Sequence, residues 1–478
     1  MAIERRETSE KFSLWFRKVL SEAEIVDYRY PVKGCGVWLP YGFQLRQNII
    51  SVIRGLLNKT GHEECLFPIF IPEDSFARET AHIKGLETEV FWVTHAGARK
   101  LDVKLILRPT SETVIAPMLK LWIRSHADLP KKLYQVVNIF RYETKATWPI
   151  VRVREVTTFK EAHTAHATSK DAEEQVREGV EVYKRFFDCL CLSYTITDRP
   201  DWDRFPGALC STAFETVLPD GKTLQIGTVH NLGQNFSKAF DLTFEKEDGS
   251  RDYLWQTCYG ISERVIAAII AVHGDDRGLV LPPSIAPIQV VIVPIPYKGF
   301  EEKIKIATDR VEEKIGKIGL KVSTDNREGM TPGAKFYQWE IKGVPIRVEV
   351  GPKDIEKGVV TIVRRDTLEK STCSEDRFEE TVKSMLAAVE KALRDKTWAW
   401  LRAKIKSAET VEEAAKLLKK GSGIVELNWC GAEDCGLKVE EKTGGRVLGT
   451  PVDKTPTAGR CAVCGKSAKT TIRVSKAY

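Results

Sequence analysis

Phe140-Arg141-Tyr142-Glu143, a loop, and then Arg152-Val153-Arg154-Glu155 with Phe159 bring three arginines and two glutamates into twenty residues. Side chains alternate along a strand, so an extended segment over residues 140–143 places Arg141 and Glu143 on one face. Such a pair suits two features of a nucleotide. A guanidinium grips phosphate oxygens with parallel hydrogen bonds, and a carboxylate accepts from an amino group. A cross-strand ion pair would account for the same residues equally well.

Two flanking elements sharpen the choice. Upstream, Ile49, Ile50, Ile53, Leu56 and Leu57 line one helix face, and Gly61 suits the stop. Glu64-Cys-Leu-Phe-Pro68-Ile-Phe-Ile71-Pro72 follows, strand-like but interrupted. Pro68 cannot donate to a ladder and so points to a sheet edge. Downstream, Gly260-Ile-Ser-Glu263-Arg264 opens into the apolar run 265–272. A positive side chain at a helix start gains nothing from the helix dipole, which suggests an anionic ligand for Arg264. A solvated arginine is the plainer alternative.

The chain has 478 residues, which favours about three domains. Its 42% hydrophobic and 29% charged residues are ordinary for a globular protein. The apolar run 265–272 is far too short to span a bilayer. Residues 1–6, Met-Ala-Ile-Glu-Arg-Arg, carry no apolar signal segment, so a cytoplasmic protein with no membrane association is expected. A net charge of +7 is compatible with a polyanionic partner without demanding one. Phosphate-loop chemistry is not encoded. Gly465-Lys466-Ser467 imitates the end of such a loop, but Gly459 lies one residue too far upstream.

Texture divides the chain at Pro282-Pro283 and again near Lys396. Residues 1–283 hold the unusual motifs. Residues 284–395 alternate strands with helices: 290–293, 320–322, 346–350 and 359–363 read as strands, and Val382, Met385, Leu386, Val389 and Leu393 as a helix face. This is expected to be a small α/β domain. Residues 396–478 begin with a capping box, Thr410 with Glu413, and end in a basic tail.

Eleven cysteines, mostly isolated, argue against a disulfide framework. Four are grouped: Cys430 and Cys435 have four residues between them, Cys461 and Cys464 have two, and twenty-five separate the pairs. Paired thiolates on turns suit a tetrahedral Zn²⁺ that is structural, because four protein ligands leave no open position.

In order and context, the three arginine-bearing elements resemble the signature motifs of class II aminoacyl-tRNA synthetases. Class I signatures are missing; His82-Ile83-Lys84-Gly85 is a faint echo of one. Longer strings are similar to prolyl-tRNA synthetases of the archaeal and eukaryotic type. These are Arg108-Pro-Thr110-Ser-Glu112-Thr113, Phe159-Lys-Glu161-Ala-His163-Thr-Ala-His166, Leu224-Gln225-Ile-Gly227-Thr228-Val-His230-Asn-Leu-Gly-Gln-Asn-Phe236 and His273-Gly-Asp-Asp-Arg277-Gly-Leu-Val-Leu-Pro-Pro283. The likeness runs essentially end to end. The long bacterial-type editing insertion has no room, since Phe159 and Ser237 are only about 80 residues apart.

The resemblance implies an α+β catalytic domain with an antiparallel sheet flanked by helices, an α/β anticodon-binding domain, and a small α+β zinc-binding C-terminal domain. It implies a proline–tRNA ligase that uses ATP and Mg²⁺, charges tRNA(Pro), and forms a homodimer. Arg141 would grip the α-phosphate and Arg264 the γ-phosphate, with Glu143 on the adenine amino group. Gln225 and Thr228 would join the ATP site, with Arg152 or Arg154. The family pattern places an aromatic residue four positions after the key arginine. Here Val156 follows Arg152 and Thr158 follows Arg154, so the arginine and the adenine neighbour stay open. Thr110 and Glu112 would receive the imino nitrogen of proline, with Arg141, Phe159, Glu161, His163, Thr228, His230, Cys258 and Gly260 around the ring. Anticodon contacts would come from Lys335, Phe336, Glu340, Lys342, Arg347 and Lys353. Phe336 and Trp339, spaced i, i+3, read as core residues on the same footing. The terminal Tyr478 would be ordered against the catalytic domain.

Two rivals stand beside this. A threonine-specific enzyme would hold an active-site zinc with Cys and His, and no such set stands out in the catalytic segment. A silent paralogue would have lost Arg141 or Arg264, and both remain.

Overall fold

The computed structural model describes residues 9–80, 89–144, 146–453 and 459–478. The expectations for residues 1–6 and 82–85 lie outside them. Strands from both ends of the chain meet in one eleven-stranded sheet, in the order 405–407, 424–429, 470–475, 446–451, 195–198, 210–217, 223–233, 255–261, 155–166, 131–140 and 63–64. Every neighbouring pair is antiparallel except the outermost pair at each end. Pro68 divides the upstream element as its chemistry requires. Glu63–Glu64 forms the edge of this sheet, and Phe70–Pro72 joins a separate three-stranded sheet.

Helices cover one face of the central strands. Tyr183, Phe186 and Phe187 of Ser169–Cys189, Ile49 and Ile53 of Pro40–Lys59, and Ile266 and Ile269 of Arg264–His273 share a core with Val229 and Tyr259 of the sheet. Residues 265–273 are all buried, as expected for a helix that is apolar all round. The opposite face of the same strands is divided: Leu133, Ala165 and Leu232 pack on Ile115 and Leu119 of Glu112–Trp122 and on Phe236 of Asn235–Ala239, and the rest carries polar side chains. Strand Glu155–His166 shows the division: Ala162 enters the helix-side core, while Phe159 and Glu161 line a cavity.

Strand Thr223–Gly233 would break this alternation without an irregularity. Phe214 pairs with Gly227 but Glu215 with Gln225, so Ile226 is a bulge. The extra residue lets Leu224, Ile226 and Val229 all reach the core while Gln225, Thr228 and His230 all face the cavity.

Residues 289–385 are built on a five-stranded sheet in the order 322–324, 290–294, 346–350, 359–364 and 370–374. The strand expected at 320–322 begins at Val322 and runs to Thr324. Its last helix, Phe378–Lys404, crosses the expected boundary at 395/396 without interruption. Val389 and Leu393 pack on Cys191 and Val280, Thr397 Oγ1 donates to Cys191 O (2.9 Å), and Trp400 Nε1 to Val217 O (3.0 Å). That helix lies along the first unit and delivers the chain into Ile405–Ser407. The C-terminal strands then join the large sheet, with Thr450 opposite Asp198 and Pro451 opposite Thr197. Among the described residues, no helix is long and apolar enough to cross a membrane.

Candidate active site

The part of this second sheet face that the helices leave open frames a cavity of about 420 Å³. Thr110, Glu112, Arg141, Glu143, Arg152, Phe159, Glu161, Gln225, Thr228, His230, Cys258, Gly260 and Arg264 all line it. These side chains come from distant parts of the chain and are held by different local devices.

Arg141 is not on a strand, contrary to the alternation argument. Strand Lys131–Phe140 ends one residue earlier, and Glu143 N donates to Arg141 O (2.8 Å) in a tight turn. The Arg141 guanidinium donates through Nε to Pro109 O (3.0 Å), and Arg264 through Nε to Val151 O (2.8 Å). The terminal nitrogens of both make no hydrogen bond among the described residues. Burial, followed by the positive charges of Arg141 and Arg152, pulls the pKa of Arg264 down to about 10. Three half-buried guanidiniums around one space, with Glu112 and Glu143 beside them, form an anion site. Of Arg152 and Arg154, Arg152 is the one that lines the cavity, with Nε 3.9 Å from Glu143 Oε2. Arg154 is not: its guanidinium stacks 4.0 Å from the centre of the Tyr142 ring. The residue four beyond Arg152 is Val156, and it lines the cavity together with Phe159.

The other end of the cavity is a network of buried polar groups. Arg108 is structural, donating to Phe67 O (2.7 Å) and Asn138 O (2.9 Å), and so fixes the turn that presents Thr110 and Glu112. Thr110 Oγ1 donates to Glu112, and Cys258 Sγ lies 3.4 Å from Glu112 Oε1. Glu161 accepts from Ser111, from Gln135 Nε2 (2.9 Å) and from His163 Nε2 (3.2 Å). Burial alone would raise the Glu161 pKa, but these donors outweigh it and hold it below the usual range. For His163, burial pulls downward, yet the bond to Glu161 and the charges of Glu112 and Glu161 leave it raised. His163 is not among the residues lining the cavity but contacts two that are, Glu161 and, at 3.8 Å, Cys258 Sγ. His230 is driven by burial, then by Arg199, down to about 3, and is neutral, with Nδ1 2.8 Å from Ser211 Oγ.

Glu112, His163 and Cys258 bring their ligand atoms within 4.8 Å of one another, all buried. The sequence shows no Cys–His set here because the three residues stand far apart in the chain. Reasoning from the sequence also missed Arg199, Asp203, Phe205 and Ser211 on the 199–211 segment, Glu263, and Arg446 from the C-terminal strands, all of which line the cavity. Glu263 lies inside a quoted motif and accepts from Thr157 N (3.0 Å) and Oγ1 (2.8 Å). Arg446 has no local signal.

Of the residues assigned to anticodon contact, three are adjacent. The Arg347 guanidinium lies 4.1 Å from the Phe336 ring centre and donates to Glu340 Oε1 (2.8 Å). Lys353 is exposed. Lys335 is 5% exposed and donates to Asp325 O (3.0 Å), and Lys342 donates to Glu24 Oε2 (2.6 Å), so both ammonium groups serve internal contacts. Phe336 and Trp339 pack against the buried Val291, Val293 and Val344. The chain terminus is ordered as expected. The Tyr478 ring stacks on Trp148 (4.6 Å, 1°), and its hydroxyl donates to Asp220 Oδ2 (2.5 Å).

Cys430, Cys435, Cys461 and Cys464 place their sulfurs within 4.8 Å of one another, with 3.7 Å between those of Cys430 and Cys464. A tetrahedron with 2.3 Å metal–sulfur bonds has edges of about 3.8 Å, so the four thiols fit Zn²⁺. Burial pulls the Cys461 thiol upward, but backbone N–H groups of Cys464, Val463 and Cys430 draw it down to about 7.

This fold and cavity are those of a class II aminoacyl-tRNA synthetase. Residues 91–273 match the tRNA synthetase class II core domain (G, H, P, S and T), residues 289–385 the anticodon-binding domain, and residues 411–478 the prolyl-tRNA synthetase C-terminal domain. Proline–tRNA ligases of Saccharolobus islandicus and Pyrococcus abyssi are 54% and 52% identical to it, each over 100% of both chains. A Giardia lamblia prolyl-tRNA synthetase solved with prolyl-adenylate superimposes with a TM-score of 0.96 at 36% identity, again over 100% of both chains. The chain belongs to the prolyl-tRNA synthetase family.

Proposed function

We propose that the cavity binds ATP and L-proline side by side and joins them as prolyl-adenylate. The reading is carried by one observation: Arg141 and Arg264 share a cavity with Thr110 and Glu112. The proline carboxylate attacks the α-phosphorus, a new O–P bond forms, and pyrophosphate leaves. Two anions must meet, so the site has to neutralise charge and fix the line of attack. Arg141, between the two ends, holds the α-phosphate, and Arg264 and Arg152 take the outer phosphates. Glu143 accepts from the adenine amino group, Gln225 and Thr228 hold the nucleotide, and Val156 and Phe159 offer apolar contact.

Mg²⁺, when bound, screens phosphate charge. The described residues offer it no dedicated carboxylate cage, since Glu143 lies beside Arg152 and Glu263 holds Thr157, so it would be carried in by the phosphates.

Thr110 and Glu112 receive the imino nitrogen, while Glu161, His163, His230, Cys258 and Gly260 shape the pocket. Apolar packing separates similar small substrates by only roughly 10- to 200-fold, so alanine and cysteine are expected as minor substrates. The terminal hydroxyl of tRNA(Pro) then takes the proline from the adenylate and AMP leaves. Phe336, Glu340, Arg347 and the exposed Lys353 form the anticodon face, because unpaired bases suit stacking and charged partners. Lys335 and Lys342 hold that domain together and to its neighbour. The four cysteines hold one structural Zn²⁺. Exposed Val37, Phe43, Leu66 and Phe70 around the first motif support a homodimer, and a tRNA-charging enzyme works in the cytoplasm.

ATP–pyrophosphate exchange with each amino acid tests the assignment. Proline-dependent exchange supports it. Threonine-dependent exchange would move the chain to another specificity, and silence with all amino acids would refute the reading. Light scattering that gives a monomer mass at micromolar concentration would remove the dimer.

A further inference from the structure

Among the described residues, the C-terminal unit reaches the active site through a single side chain. Arg446, the first residue of strand Arg446–Pro451, lines the same cavity as Arg141 and Arg264. Its guanidinium grips both carboxylate oxygens of Asp203, with Nε 3.1 Å from Oδ2 and NH2 on Oδ1. Asp203 ends the short turn Asp201–Asp203, on the segment that closes one side of the cavity.

The contact is relayed. Asp203 Oδ2 also accepts from Arg199 NH1 (3.3 Å). Arg199, with a side chain only 5% exposed, donates NH2 to Gln225 Oε1 (2.9 Å) and to Glu215, and NH1 to Leu448 O (3.2 Å) on the C-terminal strand. One planar guanidinium therefore spans the C-terminal strand, the Asp203 turn and a cavity-lining amide. Gln225 is itself held in place by the bulge at Ile226. A buried network of this kind is rigid only when every member is satisfied. Losing the Arg446 bond would leave Asp203 with Arg199 as its one weak partner, draw on the guanidinium that also holds Gln225, and so shift the Gln225 amide.

We propose that Arg446 is a positioning residue for adenylate formation, acting through Asp203 and Arg199 on Gln225 at the nucleotide end of the cavity. This rests on the reading that the cavity binds ATP beside proline. It gives the C-terminal unit a part in the chemistry although its own cysteine cluster lies elsewhere. Half of the Arg446 side chain is solvent-exposed (50%), so replacing it removes the relay without opening a core.

The test is steady-state exchange kinetics on full-length wild type, Arg446→Gln, Arg446→Lys, Asp203→Asn and the double variant Arg446→Gln/Asp203→Asn, with melting temperature and zinc content measured for each. Arg446→Gln should raise KM for ATP about tenfold, the scale of one weakened charge-assisted hydrogen bond, and leave KM for proline within about twofold. Arg446→Lys, which can still meet one carboxylate oxygen, should recover most of the loss. Asp203→Asn should match Arg446→Gln, and the double variant should be no worse than the worse single one, as coupled residues require. An unchanged KM for ATP, an equal rise in both KM values together with a lower melting temperature, or additive losses would overturn the proposal. If wild type itself shows no proline-dependent exchange, the underlying reading of the cavity fails instead.

Discussion

Arg141 and Arg264 each anchor Nε on a main-chain carbonyl, Pro109 O at 3.0 Å and Val151 O at 2.8 Å, and present their remaining nitrogens to one cavity. The carbonyl that holds Arg141 belongs to the turn that carries Thr110 and Glu112. The carbonyl that holds Arg264 belongs to the loop that carries Arg152. The Arg108–Thr113 string, the segment after Phe140 and the helix start at Arg264 are thus fastened to one another by arginine side chains on main-chain carbonyls, and the geometry of the anion site follows from the fold rather than from ligand binding.

Replacing Arg264 by Gln keeps hydrogen-bonding capacity and removes the charge. A charge-assisted bond to phosphate contributes about 1.5–3 kcal/mol, so kcat/KM for ATP should fall roughly 10- to 100-fold. Exchange kinetics at varied ATP measure it. Arg154→Gln should cost far less, because its guanidinium stacks on Tyr142 outside the cavity.

Glu112→Gln leaves the side-chain shape in place and removes the negative charge that the proposed function sets against the imino nitrogen. KM for proline should rise by about 30- to 100-fold, corresponding to about 2–3 kcal/mol for one charged hydrogen bond, while KM for ATP changes little. A parallel rise in both would mean that Glu112 holds the loop and not the amino acid.

Lys160 is fully buried on the strand whose Phe159 and Glu161 line the cavity. Its ammonium donates to Tyr183 Oη (2.9 Å) and Tyr259 O (3.2 Å) and lies over both tyrosine rings. Burial drives its pKa down to about 7 from 10.5, although Cys258 and Glu161 pull the other way. Between pH 7 and about 10 the unfolded chain then binds one more proton than the folded one. This group's contribution therefore makes stability rise with pH across that window, by at most about 1.4 kcal/mol per pH unit. Melting temperatures between pH 7 and 9.5 should show this rise in wild type and a flatter profile in Lys160→Met.

Purified protein should contain one zinc per chain by metal analysis, and Cys461→Ser should lose it. The C-terminal strands continue the catalytic sheet through Thr450 and Pro451, so the loss should also lower the melting temperature of the whole chain rather than of a detached unit. A zinc-free wild type would overturn the assignment.

Local patterns carried most of this structure. The alternation at Ile346, Val348 and Val350, the buried helix after Arg264 and the edge signalled by Pro68 are each decided within a few residues, so periodicity and proline chemistry reveal them. Arg141, Glu143 and Arg264 could be read from residue chemistry, but the Glu112 end of the cavity was legible only through resemblance, because Glu112, His163 and Cys258 meet across a sheet whose pairing no short window encodes. The choice between Arg152 and Arg154 depended on where a loop turns after Phe140. The bulge at Ile226 reverses the inward-facing parity midway along a strand, which simple alternation misassigns. Arg446 was invisible for a different reason: its role exists only because two units share one sheet. The helix Phe378–Lys404 hid a boundary for the converse reason, since its apolar face passes from one unit to the next without changing period.

The central claim is that two guanidiniums converge on one triphosphate beside a pocket for a cyclic imino acid. A crystal structure of the full-length protein with proline and a non-hydrolysable ATP analogue tests this most directly. The account places the α-phosphate within hydrogen-bond reach of Arg141, an outer phosphate on Arg264, and the pyrrolidine nitrogen between Thr110 and Glu112. Phosphates bound away from either arginine, or proline seated in a cavity that does not include Glu112, would contradict it.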